Sequence, residues 1–175
     1  LYLAHQKEGL EPVSMLPEDM TVQDQESDSF LKYYSKDQKR PKEKKIRAFQ
    51  IRRKKKDGNH LHVHESVVSV KEVLKRSREL GVSMTVFLTA VFLKAIHEEM
   101  SKMQEKKPIV LMVPVNLRKF FPSTSMLNFF NWIEPGYDFS KRDRSFEEVL
   151  RYTKDFFEKQ LTKEKMSAHI NDLLA

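Results

Sequence analysis

The fold of this chain is decided by residues 107–139, which read KPIVLMVPVNLRKFFPSTSMLNFFNWIEPGYDF. Residues 106–116 form an apolar run without alternation, which predicts a strand covered on both faces. Pro114 cannot donate a ladder hydrogen bond, so this strand ends there or lies at a sheet edge. After a loop, LNFFNWIEPGYDF predicts a second strand that is broken at Pro135-Gly136.

A pair of helices is predicted before these strands. Ser69 and Glu72 have the spacing of a capping box, and Gly81 is the predicted stop of the first helix. The second helix is predicted to begin at Thr85 as its N-cap. Its first three turns are apolar nearly all round, which predicts a central position in the fold. His97 lies where this helix becomes polar, and we interpret it as a partly exposed structural histidine.

The remaining elements complete an α/β pattern. A β-hairpin is predicted from residues 46–53 and 60–64 around the turn signal Asp57-Gly58. Ser145 opens a last amphipathic helix that continues without interruption to about residue 170. The order of elements predicts a mixed sheet covered by helices. The side chains predicted to face the core are Phe146, Val149, Leu150, Phe156, Phe157 and Leu161 in the last helix, and Phe30, Leu31, Tyr33 and Tyr34 in a short helix or turn at 29–36.

Composition excludes several classes of function. The chain has 175 residues, of which 39% are hydrophobic and 33% charged, as is typical of a globular protein with a charged surface. It contains no cysteine, which excludes disulfides, thiolate catalysis and cysteine-based zinc sites. No apolar run approaches the ~18 residues of a membrane helix. The absence of cysteine suits a reducing interior, and we predict a cytoplasmic location.

The net charge of +7 is concentrated in residues 36–56, which hold twelve basic residues and two acids. Such a segment suits nucleic acid, a membrane surface or a phosphorylated ligand, and equally a solvated linker followed by an exposed hairpin face. Phe49 is its only aromatic residue, so we predict no specific nucleic-acid site. His60, His62 and His64 share one face of the predicted hairpin, but histidines in a row along a strand rarely converge on one ion, and no metal site is predicted.

The candidate site lies at the end of the first strand and along the second. Asn116, Arg118, Asn128 and Asn131 are polar residues where α/β proteins place ligand contacts. A structural interpretation stays open beside this one, in which asparagines tie down loop backbone and Arg118 pairs with a buried acid. The sequence has no glycine-rich phosphate loop and no legible Ser-His-Asp spacing, so no catalytic residue is assigned.

Two stretches carry a resemblance to a known family. SVKEVLKRSRELGVSMTVFLTAVFLKAI, followed by KPIVLMVPVNLRKFFPSTSMLNFFNWIEPGYDF, resembles the chloramphenicol acetyltransferase-like superfamily, which includes condensation domains. The likeness covers roughly residues 46–165 and is closest to the alcohol acetyltransferase-like branch. The strand ending P-V-[ND]-L-R and the following N-F-F strand are its more specific motifs. The resemblance implies a two-lobed acyltransferase with its active site in a tunnel between the lobes.

The resemblance also implies what this chain does not supply. The superfamily's general base is the second histidine of HHxxxDG, a motif that this sequence lacks, and HLHVHES has the wrong spacing to replace it. We therefore expect an internal fragment of an acyl-CoA-dependent O- or N-acyltransferase that is inactive alone. The expected units are the tail of the first lobe with a linker (1–45), a hairpin at the crossover (46–66) and part of the second lobe (67–175). A non-catalytic acyltransferase-like binding or scaffold module is the alternative.

The resemblance gives the candidate residues their expected roles. Arg118 would contact a ligand phosphate or the aspartate of HHxxxDG, with Asn116, Asn128 and Asn131 fixing backbone beside it. Phe129 and Trp132 are tunnel-wall candidates, since the aromatic residues here divide between core and tunnel. Acyl-CoA and an alcohol or amine are the expected co-substrates, without a tightly bound cofactor. A lobe without its counterpart would expose apolar surface, so self-association is also expected.

Overall fold

The computed structural model describes residues 21–35, 47–51, 63 and 65–174. The predicted hairpin turn at Asp57-Gly58, the three alternating histidines and most of the basic segment 36–56 lie outside the described residues. Within the described part, helices pack against small antiparallel ladders, which confirms the α/β class. No parallel strand pair of a mixed sheet occurs among these residues.

The described elements follow the chain in a simple order, with short 3-10 turns at Gln104–Lys106 and Leu117–Lys119. The helices are α1 (Val22–Glu26), α2 (Ser29–Tyr33), α3 (Val70–Glu79), α4 (Met84–Glu98), α5 (Phe146–Gln160) and α6 (Lys163–Leu174), and the strands are β1 (Ile109–Val110), β2 (Val113–Asn116), β3 (Phe130–Ile133) and β4 (Gly136–Tyr137).

The two ladders are successive parts of one antiparallel pair of chain segments. β1 pairs with β4, and β2 pairs with β3 with Val115 opposite Asn131. Between them, the Leu111 N–H donates to the Pro135 carbonyl at 3.0 Å. The first predicted strand is therefore interrupted at residues 111–112, which the sequence did not predict. The second is broken at Pro135, as the sequence predicted.

The prediction that residues 106–116 are covered on both faces was wrong. Met112 is 69% exposed, and Pro114 is also exposed. A two-stranded ladder packs one face on the helices, so alternate side chains of β2 point away from the core. Pro114 lies within β2 opposite Trp132 rather than at its end, which is possible because β2 has a neighbour in the described ladder on one side only.

The predicted helix pair is present, with one shifted start. Ser69 caps α3, and Gly81 follows it with a φ of 66°, a conformation that glycine adopts without strain. α4 begins earlier than predicted, because the Ser83 hydroxyl accepts from the Val86 N–H at 3.3 Å. Thr85 lies inside the first turn and is not the N-cap.

α4 is buried on one face only, so the prediction that it is central was correct for half of its surface. Ala90 and Leu93 pack into the core against α5, whereas Phe92 on the opposite face is 60% exposed. His97 is 8% exposed and therefore buried, which corrects the partly exposed position that we predicted. The core continues beneath the turn of α4 that holds His97, although the sequence becomes polar at this point.

The last predicted helix is broken into two. α5 ends at Gln160, and Leu161 leaves the helical region with φ −87° and ψ 56°. The Thr162 hydroxyl then accepts from the Lys165 N–H at 3.3 Å, so it caps the start of α6. The predicted single helix was wrong because Thr162 provides this local cap. All six predicted core side chains of this segment, from Phe146 to Leu161, belong to the core or pack against it.

Two short helices lie over the core from the N-terminal side. α1 begins at a capping box between Thr21 and Asp24. α2 packs through Phe30 and Tyr33, as predicted, but Leu31 is 64% exposed because a five-residue helix buries only one side.

Among the described residues, no single helix has the length and hydropathy to cross a bilayer. α3 and α4 together meet that test, but the pair is bent by 90°.

Candidate functional site

Arg118 organises the connection between β2 and β3. Its Nη2 donates to the carbonyl oxygens of Ser125 at 2.6 Å and of Leu127 at 2.7 Å. Its guanidinium carbon lies 6.0 Å from the centroid of the Phe129 ring. Within the described residues it forms no ion pair, so the positive charge is hydrogen-bonded to neutral carbonyls and is not compensated by a carboxylate.

The three candidate asparagines occupy different environments. Asn116 is exposed, and its Oδ1 accepts from the Arg118 N–H at 3.0 Å, which fixes the end of β2. Asn131 is 2% exposed, and its Oδ1 accepts from the Trp132 N–H at 2.8 Å. The Nδ2 of Asn131 is buried without a hydrogen-bond partner in the described part of the chain. Asn128 is exposed.

The aromatic residues divide between two faces. Phe129 is 1% exposed and meets Phe30 edge-on, with ring centroids 5.1 Å apart. Phe130 is 49% exposed and lies on the outer face of β3, where Trp132 is the next residue on the same side. The Trp132 indole N–H donates to Glu134 at 3.2 Å. The outer face of the ladder is therefore an aromatic surface, with Asn116 paired opposite Phe130.

The loop between these strands is also held by α1 and α2. The Tyr33 hydroxyl donates to the Pro122 carbonyl at 2.5 Å, and the hydroxyls of Ser29 and Ser123 are 2.5 Å apart. The Gln25 carbonyl accepts from the Met126 N–H at 2.8 Å. These contacts join parts of the sequence about 90 residues apart, so the loop has a defined position next to the aromatic face.

A second polar cluster lies at the other end of the core and uses residues that the sequence did not single out together. His97 stacks on Phe139 with ring centroids 3.9 Å apart, and its Nε2 is 3.3 Å from Glu105 Oε1. Glu105 also accepts from Arg144 at 2.7 Å, and Lys94 donates to the Arg144 carbonyl at 2.9 Å. Burial lowers the pKa of His97, against the opposing effect of Glu105.

This second cluster is structural in its geometry. The His97 ring is enclosed, and neither ring nitrogen has a well-aligned hydrogen bond within the described residues, although Nε2 is close to Glu105. A general base must reach a substrate proton, and an enclosed ring does not. The described residues also contain no group of three or more metal-ligating side chains.

The structure therefore places the candidate residues in two sets. The first set is Asn116 and Arg118, which a hydrogen bond joins directly. The second set is on β3, where Asn131 is buried and the next residue, Trp132, lies on the outer face. Phe129 packs in the core under Arg118, and Asn128 lies exposed at the loop end. Sequence reasoning did not single out Ser125 and Gln25, which fix the loop, because their roles depend on contacts with a distant segment.

One comparison with known protein families gives a match that covers this region of the sequence. A family model described as alcohol acetyltransferase matches residues 11–159, which include every candidate residue named above. No curated protein and no solved structure matches the chain.

Proposed function

Because the chain belongs to the alcohol acetyltransferase family, we propose that it contributes one wall of the active-site tunnel of an acyl-CoA-dependent acyltransferase acting on an alcohol or amine. The observation that carries this proposal is the family match over residues 11–159. The wall is formed by the outer face of β2 and β3 and by the loop that Arg118 holds.

Two features of this wall support a contact with ligand or with a facing lobe. Arg118 pairs with no carboxylate among the described residues, although a partly buried guanidinium is usually paired with a carboxylate or phosphate. Phe130 and Trp132 present aromatic surface that an acyl chain or a small alcohol can pack against.

The general base is not among these residues, since HHxxxDG is absent from the sequence. Our proposal assigns Arg118 to the acyl-CoA phosphates or to the aspartate of that motif, and Phe129 to supporting the wall from the core side. The division into residues 1–45, 46–66 and 67–175 and the cytoplasmic location belong to the same proposal.

Release of coenzyme A thiol from acetyl-CoA, with a series of primary alcohols as acceptors, tests the proposal. We expect turnover from the protein encoded by the complete gene and none from the 175-residue chain. In the active protein, Arg118→Ala is expected to lower kcat/KM at least tenfold, whereas Lys119→Ala next to it changes it less than twofold.

Three outcomes would count against this assignment. Turnover by the 175-residue chain would show that the base lies within it. Equal effects of the two substitutions would remove Arg118 from the site. No turnover from the complete protein, with acetyl-CoA binding also undetectable by calorimetry, would favour the non-catalytic binding or scaffold module.

A further inference from the structure

A groove lined by residues of α3, α4 and α5 shares no residue with the proposed tunnel wall. It lies between the α3–α4 turn and the C-terminal half of α5 and has a volume of about 580 Å³. That volume is within the range of about 300–1,000 Å³ that is typical of small-molecule sites. Apolar side chains form its floor, namely Val82, Val86, Phe157 and Leu161. We call this surface the turn groove.

Two cations lie at the rim of the turn groove. Arg78 and Lys154 line it from opposite helices, and neither forms an ion pair with a described residue. Among the described lining residues Glu158 is the one acid, so they carry two positive charges against one negative charge. An apolar floor with a net positive rim is complementary to a ligand that has an aliphatic part and an anionic head.

The local backbone agrees with this charge pattern. The groove includes Gly81, Val82 and Ser83, which lead into the first turn of the 15-residue helix α4. The N-terminus of a helix carries a partial positive charge, and it therefore adds to the effect of Arg78 and Lys154. The first turn of α4 contains no acidic residue that would offset this charge.

We propose that the turn groove binds the free carboxylate form of a medium-chain fatty acid. The chain lies along Val82, Val86, Phe157 and Leu161, and the carboxylate meets Arg78 and Lys154 at the rim. The site is separate from the proposed tunnel wall, so it does not depend on acyl transfer. An acyltransferase assay that fails would leave this proposal standing, and the reverse also holds.

Isothermal titration calorimetry with monomeric fatty carboxylates tests the chemistry of the ligand. Octanoate and decanoate are expected to bind with one site per chain, and the affinity should rise about three- to fourfold for each added methylene until the groove is filled. Decyltrimethylammonium has the same chain and the opposite charge, and we expect no saturable binding of it.

Substitutions at the rim test the location. Arg78→Gln combined with Lys154→Gln is expected to weaken decanoate binding at least tenfold, and Val82→Ser should weaken it severalfold. Lys75→Gln is the matched control, because Lys75 is exposed on the same helix as Arg78 but does not line the groove. Far-ultraviolet circular dichroism checks that each variant is folded.

Each contrary result would overturn the proposal. The proposal is wrong if decanoate shows no saturable binding below its critical micelle concentration. It is also wrong if decyltrimethylammonium binds as tightly as decanoate. Binding only to vesicles of anionic phospholipid would assign the groove to a membrane surface instead. Unchanged affinity in the folded rim variant would place the ligand elsewhere.

Discussion

Arg144 and Arg118 each link separate parts of the chain, but the two guanidinium groups differ in what they contact. Arg144 pairs with Glu105, which also lies beside His97, so the charge of this guanidinium is matched by a carboxylate. Arg118 donates to two backbone carbonyls and meets no acid among the described residues. The His97 cluster is therefore complete within the described residues, whereas Arg118 retains a charge that no described acid meets.

The surroundings of the two arginines differ in the same way. Around Arg144 the neighbouring polar groups lie over a closed core that includes Phe139. Around Arg118 one aromatic ring is enclosed and the next is open, since Phe129 is 1% and Phe130 is 49% exposed. A closed network contributes to stability, and an open cationic and aromatic surface is available for binding.

The largest expected effect concerns these two neighbouring phenylalanines. Phe129→Ala removes a ring packed against Phe30 and Phe121, and we expect it to lower the free energy of unfolding by about 3–5 kcal/mol. Phe130→Ala is the matched control, and a loss of about 1 kcal/mol or less is expected at this half-exposed position. Urea denaturation measures both. Similar losses would mean that the outer face of β3 is covered as well.

The next effect compares Arg118 with Lys119. Arg118→Ala removes two hydrogen bonds from a charged donor, and we expect a loss of about 2–3 kcal/mol of unfolding free energy. Lys119→Ala, at an exposed position, should change it by about 0.5 kcal/mol or less. The two can be compared by urea denaturation at low and at high salt. A loss at Arg118 that vanishes in salt would point to an unseen ion pair in place of the carbonyl contacts.

The smallest effect is the pH dependence of the His97 cluster. Burial lowers the pKa of His97, so the unfolded chain takes up the proton more readily than the folded protein does. Stability therefore falls as the pH drops below about 6.5, by no more than about 1.4 kcal/mol per pH unit from this one group. Lys94 and Arg144 oppose protonation of the ring, and Glu105 favours it.

The measurement is the midpoint of urea denaturation between pH 7.5 and 5.5. His97→Gln should show a smaller decrease than the unsubstituted protein over this range. The remaining slope in the variant reports the other histidines. An identical pH dependence in both proteins would show that His97 takes up its proton equally in the folded and unfolded states.

Local signals in the sequence predicted much of the secondary structure, because they act over a few residues. The capping serines at 69 and 145 and the stop at Gly81 are found where the spacing predicted them. The start of α4 was misplaced because Ser83 and Thr85 are both acceptable caps, and the choice between them depends on packing. The break at Leu161 was missed for a similar reason, since an amphipathic pattern does not show that Thr162 begins a new helix.

The candidate site was only partly readable from the sequence. Asn116 and Arg118 follow an apolar strand, and their spacing alone indicated a polar strand end. The partners of Arg118 were not predictable, because backbone carbonyls leave no signature in residue types. A buried acid was one of the expected alternatives for Arg118, and the described residues do not contain one at ion-pair distance. The division between Phe129 and Phe130 follows from the strand register, which only the pairing with β2 establishes.

The proline in the middle of β2 has a consequence for how copies of this protein meet. The Leu117 N–H donates to the Phe129 carbonyl, so by the alternation of an antiparallel ladder the backbone groups of Pro114 point away from β3. Pro114 has no backbone N–H, so a chain beside that edge finds no hydrogen-bond donor in the middle of β2. Pro114 thus opposes the addition of further strands along the apolar run 109–115, which is how fibrillar aggregates grow.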